Sequence, residues 1–187
     1  MLKRVIVLLA DGFEDVEAVT PIDYLSRAGI KITTVSISDN LTVTSRWGAV
    51  KLTADITLAE LKKSNEEWDA VIVPGGMPGA ANLAASEETS DLLKKMSEEK
   101  KLICAVCASP AIVLHPLGII KNKNFTCYPG MEEKVTGAIR SEKNVVVDEN
   151  VITSRGAGTA GEWSIAIIEK LTDKETAVKI KNTVLLN

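Results

Sequence analysis

The stretch Leu102-Ile103-Cys104-Ala105-Val106-Cys107-Ala108-Ser109-Pro110 decides the fold class. Its first five residues are apolar without alternation, the pattern of a strand buried on both faces, and such strands belong to parallel sheets covered by helices. The strand runs straight into small residues and a proline that suits the first turn of a helix. Working outward, residues 70–73 form a second buried strand, cut off by Pro74-Gly75-Gly76, and residues 5–10 form a third, bounded by Asp11-Gly12. Residues 30–37 alternate apolar side chains with Thr and Ser and read as a strand too. Helical patterns lie between: an amphipathic stretch to residue 28 stopped by Gly29, a short helix at 58–63, and a longer one at 86–99 with Ser86 as N-cap and Glu87-Glu88 in its first turn. Residues 111–114 look helical, as do 160–171 and 174–182, while residues 41–53 suggest a small hairpin and 124–128 and 144–153 further strands. Strands alternating with helices predict an α/β sandwich with a mostly parallel central sheet and helices on both faces.

Length and composition agree. The chain has 187 residues, with 45% hydrophobic and 25% charged residues, which suits one soluble domain over residues 1–187 that buries ~70% of its unfolded surface. Twenty-two basic against 25 acidic side chains give a net charge of −3, which argues against nucleic acid or an anionic membrane as a specific partner. The three cysteines are an odd count and do not read as a secreted disulfide framework. The apolar run at 5–10 is shorter than the ~7–15 residues of a signal peptide's core, and nothing reaches the ~18 apolar residues of a membrane span. The expectation is a cytoplasmic protein with reduced thiols.

In a parallel sheet, ligands bind beyond the carboxyl ends of the strands. The segments just after the four central strands are 11–17, 74–79, 107–110 and 154–159, and a parallel sheet brings all four to one edge. They supply carboxylates, glycine-rich backbone, a cysteine and more glycine-rich backbone. Ala105 and Ser109 leave room on both sides of Cys107, as a nucleophile elbow requires. A helix N-terminus beside Cys107 would favour its thiolate; the alternative is an inert buried cysteine at a strand end. Cys104 and Cys107 spell C-x-x-C, but strand alternation puts residues three apart on opposite faces, which argues against a redox pair. With one histidine and no second cysteine pair, no metal site is indicated.

Glu14 and Asp15 read as first-turn partners of a helix dipole. Glu17 differs, because Pro21 cannot bond its carbonyl and predicts a bend that leaves a polar gap there. A carboxyl beside a sulfur in a partly dry pocket has its pKa raised and can act as a general acid or base. The amides of the Gly75-Gly76 turn, with that of Ala108, could form an oxyanion hole. His115 lies ~12 Å beyond Cys107 if one helix spans both, so a Cys–His dyad is not expected.

Four blocks, Val-Ile-Val-Leu-Leu-Ala-Asp-Gly-Phe-Glu-Asp-Val-Glu (5–17), Val-Pro-Gly-Gly (73–76), Ala-Val-Cys-Ala-Ser-Pro (105–110) and Thr-Ser-Arg-Gly-Ala-Gly-Thr (153–159), resemble the DJ-one family of the ThiJ/PfpI superfamily in order and spacing. The resemblance implies a flavodoxin-like three-layer sandwich and a homodimer. It implies that Cys107 is the reactive, oxidation-sensitive cysteine, that Glu17 is the protonated glutamate bonded to the sulfur and to its sulfinate, and that Gly76 and Ala108 are the amide donors. Arg27 and Arg155 match arginines near the pocket and dimer interface, and Arg46 resembles one reaching the partner's pocket. Tyr128 stands where many relatives carry histidine; tyrosine can donate a hydrogen bond but is a poor base near neutrality (ordinary pKa ~10). Ala108 follows the cysteine where the peptidase branch has histidine, which argues against a protease.

Two activities follow from the resemblance. One is cofactor-independent processing of α-oxoaldehydes such as methylglyoxal, or of their early protein and nucleotide adducts, in carbonyl or oxidative stress. The other is a redox-sensing, chaperone-like role in which Cys107 is oxidised to sulfinate without turnover. A nucleotide-binding module ranks behind both, since the chain has no phosphate loop.

Overall fold

The computed structural model describes residues 2–64 and 66–187. In chain order its elements are β1 (Arg4–Leu9), α1 (Asp15–Arg27), β2 (Lys31–Ser36), β3 (Thr42–Thr44), β4 (Lys51–Thr53), β5 (Ile56–Thr57), α2 (Leu58–Lys63), β6 (Ala70–Val73), α3 (Gly79–Ala85) and α4 (Glu87–Glu98). They continue with β7 (Leu102–Val106), a π-helical turn (Pro110–Leu114), β8 (Asn124–Phe125), a 3₁₀ turn (Glu132–Lys134), β9 (Ile139–Arg140), β10 (Val145–Asp148) and β11 (Val151–Ser154). A second 3₁₀ turn (Ala157–Thr159), α5 (Ala160–Leu171) and α6 (Lys174–Thr183) close the chain.

Seven strands form one sheet in the order β10-β11-β7-β6-β1-β2-β5. Every neighbouring pair is parallel except β10 with β11. β11, β7, β6 and β1 are therefore consecutive, parallel neighbours, and the four loops singled out in the sequence leave the same edge. Alternation along the strands feeds two cores. Ile6, Leu8, Val71, Val73, Ile103 and Ala105 face α2, α3 and α4. Val5, Val7, Leu9, Ile72, Cys104 and Val106 face α1, α5 and α6. Two apolar faces with helices on each give the expected flavodoxin-like three-layer arrangement, and burying each large aliphatic side chain contributes about 1.5–3 kcal/mol.

The sequence reading differs from the structure in several places, among them the short strands β5 and β9, which it does not include. Helix α1 runs unbroken through Pro21, because a proline in the second turn costs one hydrogen bond while the packed face, with Ala18, Pro21 and Leu25 buried, holds the helix in register. The short α3 went unread; its Gly-Ala-Ala-Asn-Leu-Ala-Ala sequence carries too little apolar contrast for periodicity to register. The helical reading of residues 111–114 is met by the five-residue π-helical turn Pro110–Leu114, with His115 at its end, whose ring accepts from the Thr136 amide at 3.1 Å. Finally, Cys107 packs against the same core as Cys104, because its backbone leaves the strand conformation. Both thiols are free.

Candidate active site

Cys107 has φ +63°, the left-handed region that a residue with a Cβ occupies only when its surroundings compel it. The surroundings are hydrogen bonds on both sides. Its N–H donates to the Ser154 carbonyl at 3.0 Å, and its carbonyl accepts from the Tyr128 N–H at 2.8 Å. The next turn is pinned by the buried Ser109 hydroxyl, which donates to the Pro74 carbonyl at 2.5 Å. The chain thus turns sharply at Cys107, and the amides of Gly76 and Ala108 stand beside its sulfur, where they favour the thiolate.

Glu17 reaches this point from α1. Glu14 caps the helix by accepting the Glu17 N–H at 2.8 Å, and the Glu14 N–H donates to the Gly75 carbonyl at 3.1 Å. These bonds lock the start of α1 onto the glycine loop. The Glu17 side chain is buried at 1% exposure, and its Oε2 accepts from the Gly75 N–H at 2.9 Å. Glycine is required at both loop positions. A Cβ on Gly75 would lie 2.6 Å from the Cys107 Cβ and 2.6 Å from Glu17 Oε2. Gly76 has φ +91°, and a Cβ there would meet the Gly12 carbonyl oxygen at 2.5 Å.

Burial, then the neighbouring Glu14 charge, pushes the Glu17 carboxyl up to about 7, against a hydrogen bond with Cys107, the Gly75 amide and the more distant Arg46 charge. Burial, then the Glu17 carboxylate, pushes the Cys107 thiol up to about 12, opposed by the Gly76 and Ala108 amides. Burial and the Glu17 carboxylate thus oppose the ionisation expected from a helix N-terminus, and the turn after Cys107 is too short to act as a helix dipole. A proton on Glu17 removes the charge that opposes ionisation and turns its hydrogen bond toward the sulfur. Burial then stands against the two amides alone. The two groups compete for one negative charge.

The supporting residues divide. Tyr128 joins the site: its N–H holds Cys107, and its half-exposed ring stands over Gly156. Arg46 lies on the β3–β4 hairpin, fastened to the β1–α1 loop through its N–H to the Phe13 carbonyl (2.8 Å), with its guanidinium stacked 4.5 Å from the Trp47 ring centroid. Arg27 is ten residues beyond Glu17, about 15 Å along α1, and is paired with Asp23 at 2.8 Å. Arg155 leaves the fourth loop but donates to the Glu142 carbonyl at 3.1 Å, beside Cys127 and Glu132. Within one chain, neither Arg27 nor Arg155 is among the leading influences on Cys107 or Glu17. Cys104 is wholly buried and Cys127 nearly so; burial raises both thiols, Cys127 to about 11 with help from Glu132. Gly156, marked in the sequence only by its place in the fourth loop, also borders the site: a Cβ on it would stand 3.7 Å from Tyr128 Cδ2 and 3.8 Å from Glu17 Oε1. Among the described residues no three His, Cys, Asp or Glu side chains cluster to hold a metal, and no helix is long and apolar enough to cross a membrane.

A three-layer sandwich with a cysteine at a strand-to-helix elbow and a buried glutamate beside it defines a class of α/β protein. Residues 3–170 match the DJ-1/PfpI family, and the chain belongs to that family. It is 39% identical over 183 residues to DJ-1 homolog B of Arabidopsis thaliana, covering 98% of this chain but only 41% of that protein. It is 33% identical over 175 residues to the glutathione-independent glyoxalase DJR-1.2 of Caenorhabditis elegans, covering 92% of this chain and 90% of that one. Among solved structures, oxidized Toxoplasma gondii DJ-1 superposes with a TM-score of 0.93 at 36% identity, over 98% of both chains.

Proposed function

We propose that this protein converts α-oxoaldehydes such as methylglyoxal, or their early adducts on proteins and nucleotides, into 2-hydroxy acids, using Cys107 and Glu17 and no cofactor. The observation that carries the reading is the buried Glu17 carboxyl beside Cys107 on a shared glycine. A carboxyl held at about 7 is matched to proton transfer near neutrality. The Cys107 sulfur adds to the aldehyde carbon while its proton passes to Glu17 and from Glu17 to the aldehyde oxygen, which lies by the Gly76 and Ala108 amides; the product is a hemithioacetal and Glu17 is left ionised. Glu17 then carries a proton from the first carbon to the second through an enediol, leaving a thioester of the hydroxy acid. Water cleaves the thioester and restores the thiol. One oxoaldehyde and one water give one hydroxy acid, so no oxidant is consumed.

The relative that bears the name of a glutathione-independent glyoxalase supports this reading. A methylglyoxal-to-lactate assay tests it. Wild type turns over, and Cys107→Ala and Glu17→Ala do not; turnover that survives in either variant, or is absent from wild type, overturns it. The setting we assign is a single-domain cytoplasmic homodimer acting in carbonyl or oxidative stress, with neither membrane nor specific nucleic acid as partner; sedimentation tests the dimer.

A second reading has its own support. Tyr128 replaces a potential base, and a solved relative is an oxidized form. Peroxide would oxidise the Cys107 thiol to sulfinate, held by protonated Glu17, and the new charge would alter a partner surface in a sensing or chaperone-like role. Absence of turnover, with a two-oxygen mass gain confined to Cys107, selects it.

A further inference from the structure

Ser109 is more than the small residue its position calls for. The elbow needs little bulk two positions after Cys107, and glycine or alanine would meet that need. Serine adds a hydroxyl where the residue is fully buried, and an unbonded oxygen is costly there. The hydroxyl is bonded: it donates to the Pro74 carbonyl at 2.5 Å. Among the described residues this is the one side-chain hydrogen bond between the elbow at 107–114 and the loop at 74–79.

The bond holds one peptide unit. The Pro74 carbonyl and the Gly75 N–H belong to the same planar trans amide, so they point in opposite directions. Ser109 fastens the carbonyl end, and the N–H end donates to Glu17 Oε2 at 2.9 Å. The next amide is built the same way: the Gly75 carbonyl accepts the Glu14 N–H at 3.1 Å, and the Gly76 N–H stands beside the Cys107 sulfur. Two consecutive amides are thus clamped at their oxygens. The first aims its N–H at the carboxyl, and the second stands with its N–H at the sulfur. The second clamp is a backbone N–H; the first is a side chain, and a side chain can be removed.

We propose that Ser109 is a positioning residue for Glu17: through the Pro74–Gly75 amide it holds a donor against the Glu17 carboxylate and so favours the ionised form that takes up a proton. This rests on the reading of Glu17 as the proton carrier above. A hydroxyl bonded to the amide oxygen fixes the peptide plane, and it polarises the amide so that the N–H donates more strongly, by roughly 10–30% per bond in a chain. Without the hydroxyl, the carboxylate loses part of a bond that favours its charge. The other groups around that carboxyl are Cys107, Glu14 and Arg46, with the Tyr128 ring across Gly156. The Ser109 hydroxyl bonds to none of them, so its removal leaves their charges in place.

The test is Ser109→Ala, read by carbon NMR titration of the Glu17 carboxyl and by the pH profile of methylglyoxal kcat/KM. The carboxyl midpoint and the rising limb of the profile should both move to higher pH, by about half a unit. On the rising limb, at pH 6, that is about a threefold loss of kcat/KM. Ser109→Cys, whose thiol is a weaker donor, should fall between alanine and wild type, and it supplies the measurement should the alanine variant not fold. A carboxyl midpoint that stays in place in a folded variant overturns the role of Ser109, even where the whole profile drops, because such a drop is a structural loss alone. A midpoint that moves while wild type shows no turnover at any pH overturns the carbonyl-processing reading and leaves the link between Ser109 and the Glu17 carboxyl standing.

Discussion

Glu17 and Cys107 crowd the same face of Gly75, with Glu17 Oε2 and the Cys107 Cβ each 2.6 Å from the point where a Cβ on that glycine would stand. The glycine is the spacer that lets a carboxyl and a thiol touch. Gly75→Ala should therefore push the pair apart. The expected result is a fall in methylglyoxal kcat/KM of at least tenfold, about 1.4 kcal/mol of transition-state stabilisation, and a lower melting temperature. An alanine variant with unchanged turnover would show that the pair need not be in contact.

The three thiols differ in access, and the difference is measurable. Cys104 is fully buried within β7 and Cys127 is 5% exposed, while Cys107 is only partly buried at the open edge of the sheet. Limiting iodoacetamide on the native protein should label Cys107 alone, and denaturant should expose all three. Mild peroxide should follow the same order, read as a mass gain on the Cys107 peptide. Early labelling of Cys127 would contradict the packing described here.

Two glycines with nearly equal φ separate strain from crowding. Gly76 (+91°) and Gly130 (+88°) are both left-handed, but a Cβ on Gly76 meets the Gly12 carbonyl and the backbone of residues 13 and 14, whereas one on Gly130 meets open space. Gly130→Ala should cost only the left-handed penalty, about 1–2 kcal/mol. Gly76→Ala must also displace the β1–α1 loop, and should cost about 3 kcal/mol or more. Denaturant melts of the two variants check the ranking.

How much of this was legible in the sequence depends on whether local or distant forces shape each part. The buried strands at 70–73 and 102–106 were readable because burial on both faces leaves an uninterrupted apolar run. The parallel order then followed, and with it the convergence of the loops carrying Glu17, Gly75, Cys107 and Gly156. The elbow was readable in the small residues around Cys107. The charge state of Cys107 was not, because it depends on how close the Glu17 carboxylate stands, and that separation is set by packing between α1 and the loop after β6. The role of Pro21 was misjudged for the same reason: tertiary contacts along α1 outweigh one lost hydrogen bond. Arg27 and Arg155 carry family resemblance in sequence, yet in one chain they are occupied by Asp23 and the Glu142 carbonyl.

The buried Glu17 also ties stability to pH. Burial and Glu14 raise its pKa in the folded protein from 4.5 to about 7, while in the unfolded chain it titrates near its ordinary value. Between those two values the folded state holds a proton that the unfolded state has lost, so stability falls as pH rises. The contribution is fully present below pH 4.5 and is lost once pH passes about 7. The difference amounts to about 3 kcal/mol at 1.36 kcal/mol per pKa unit. Glu17→Gln keeps an acceptor for the Gly75 N–H but cannot ionise, so its stability should lack this term. Relative to wild type, the variant should gain about 3 kcal/mol between pH 4.5 and pH 8, measured by urea melts across that range. The same substitution removes the carboxylate that pushes the thiol upward, so alkylation of Cys107 at pH 8 should be faster than in wild type. Parallel pH profiles for the two proteins would show that the carboxyl is already ionised at acid pH, and that the shared charge does not govern the site.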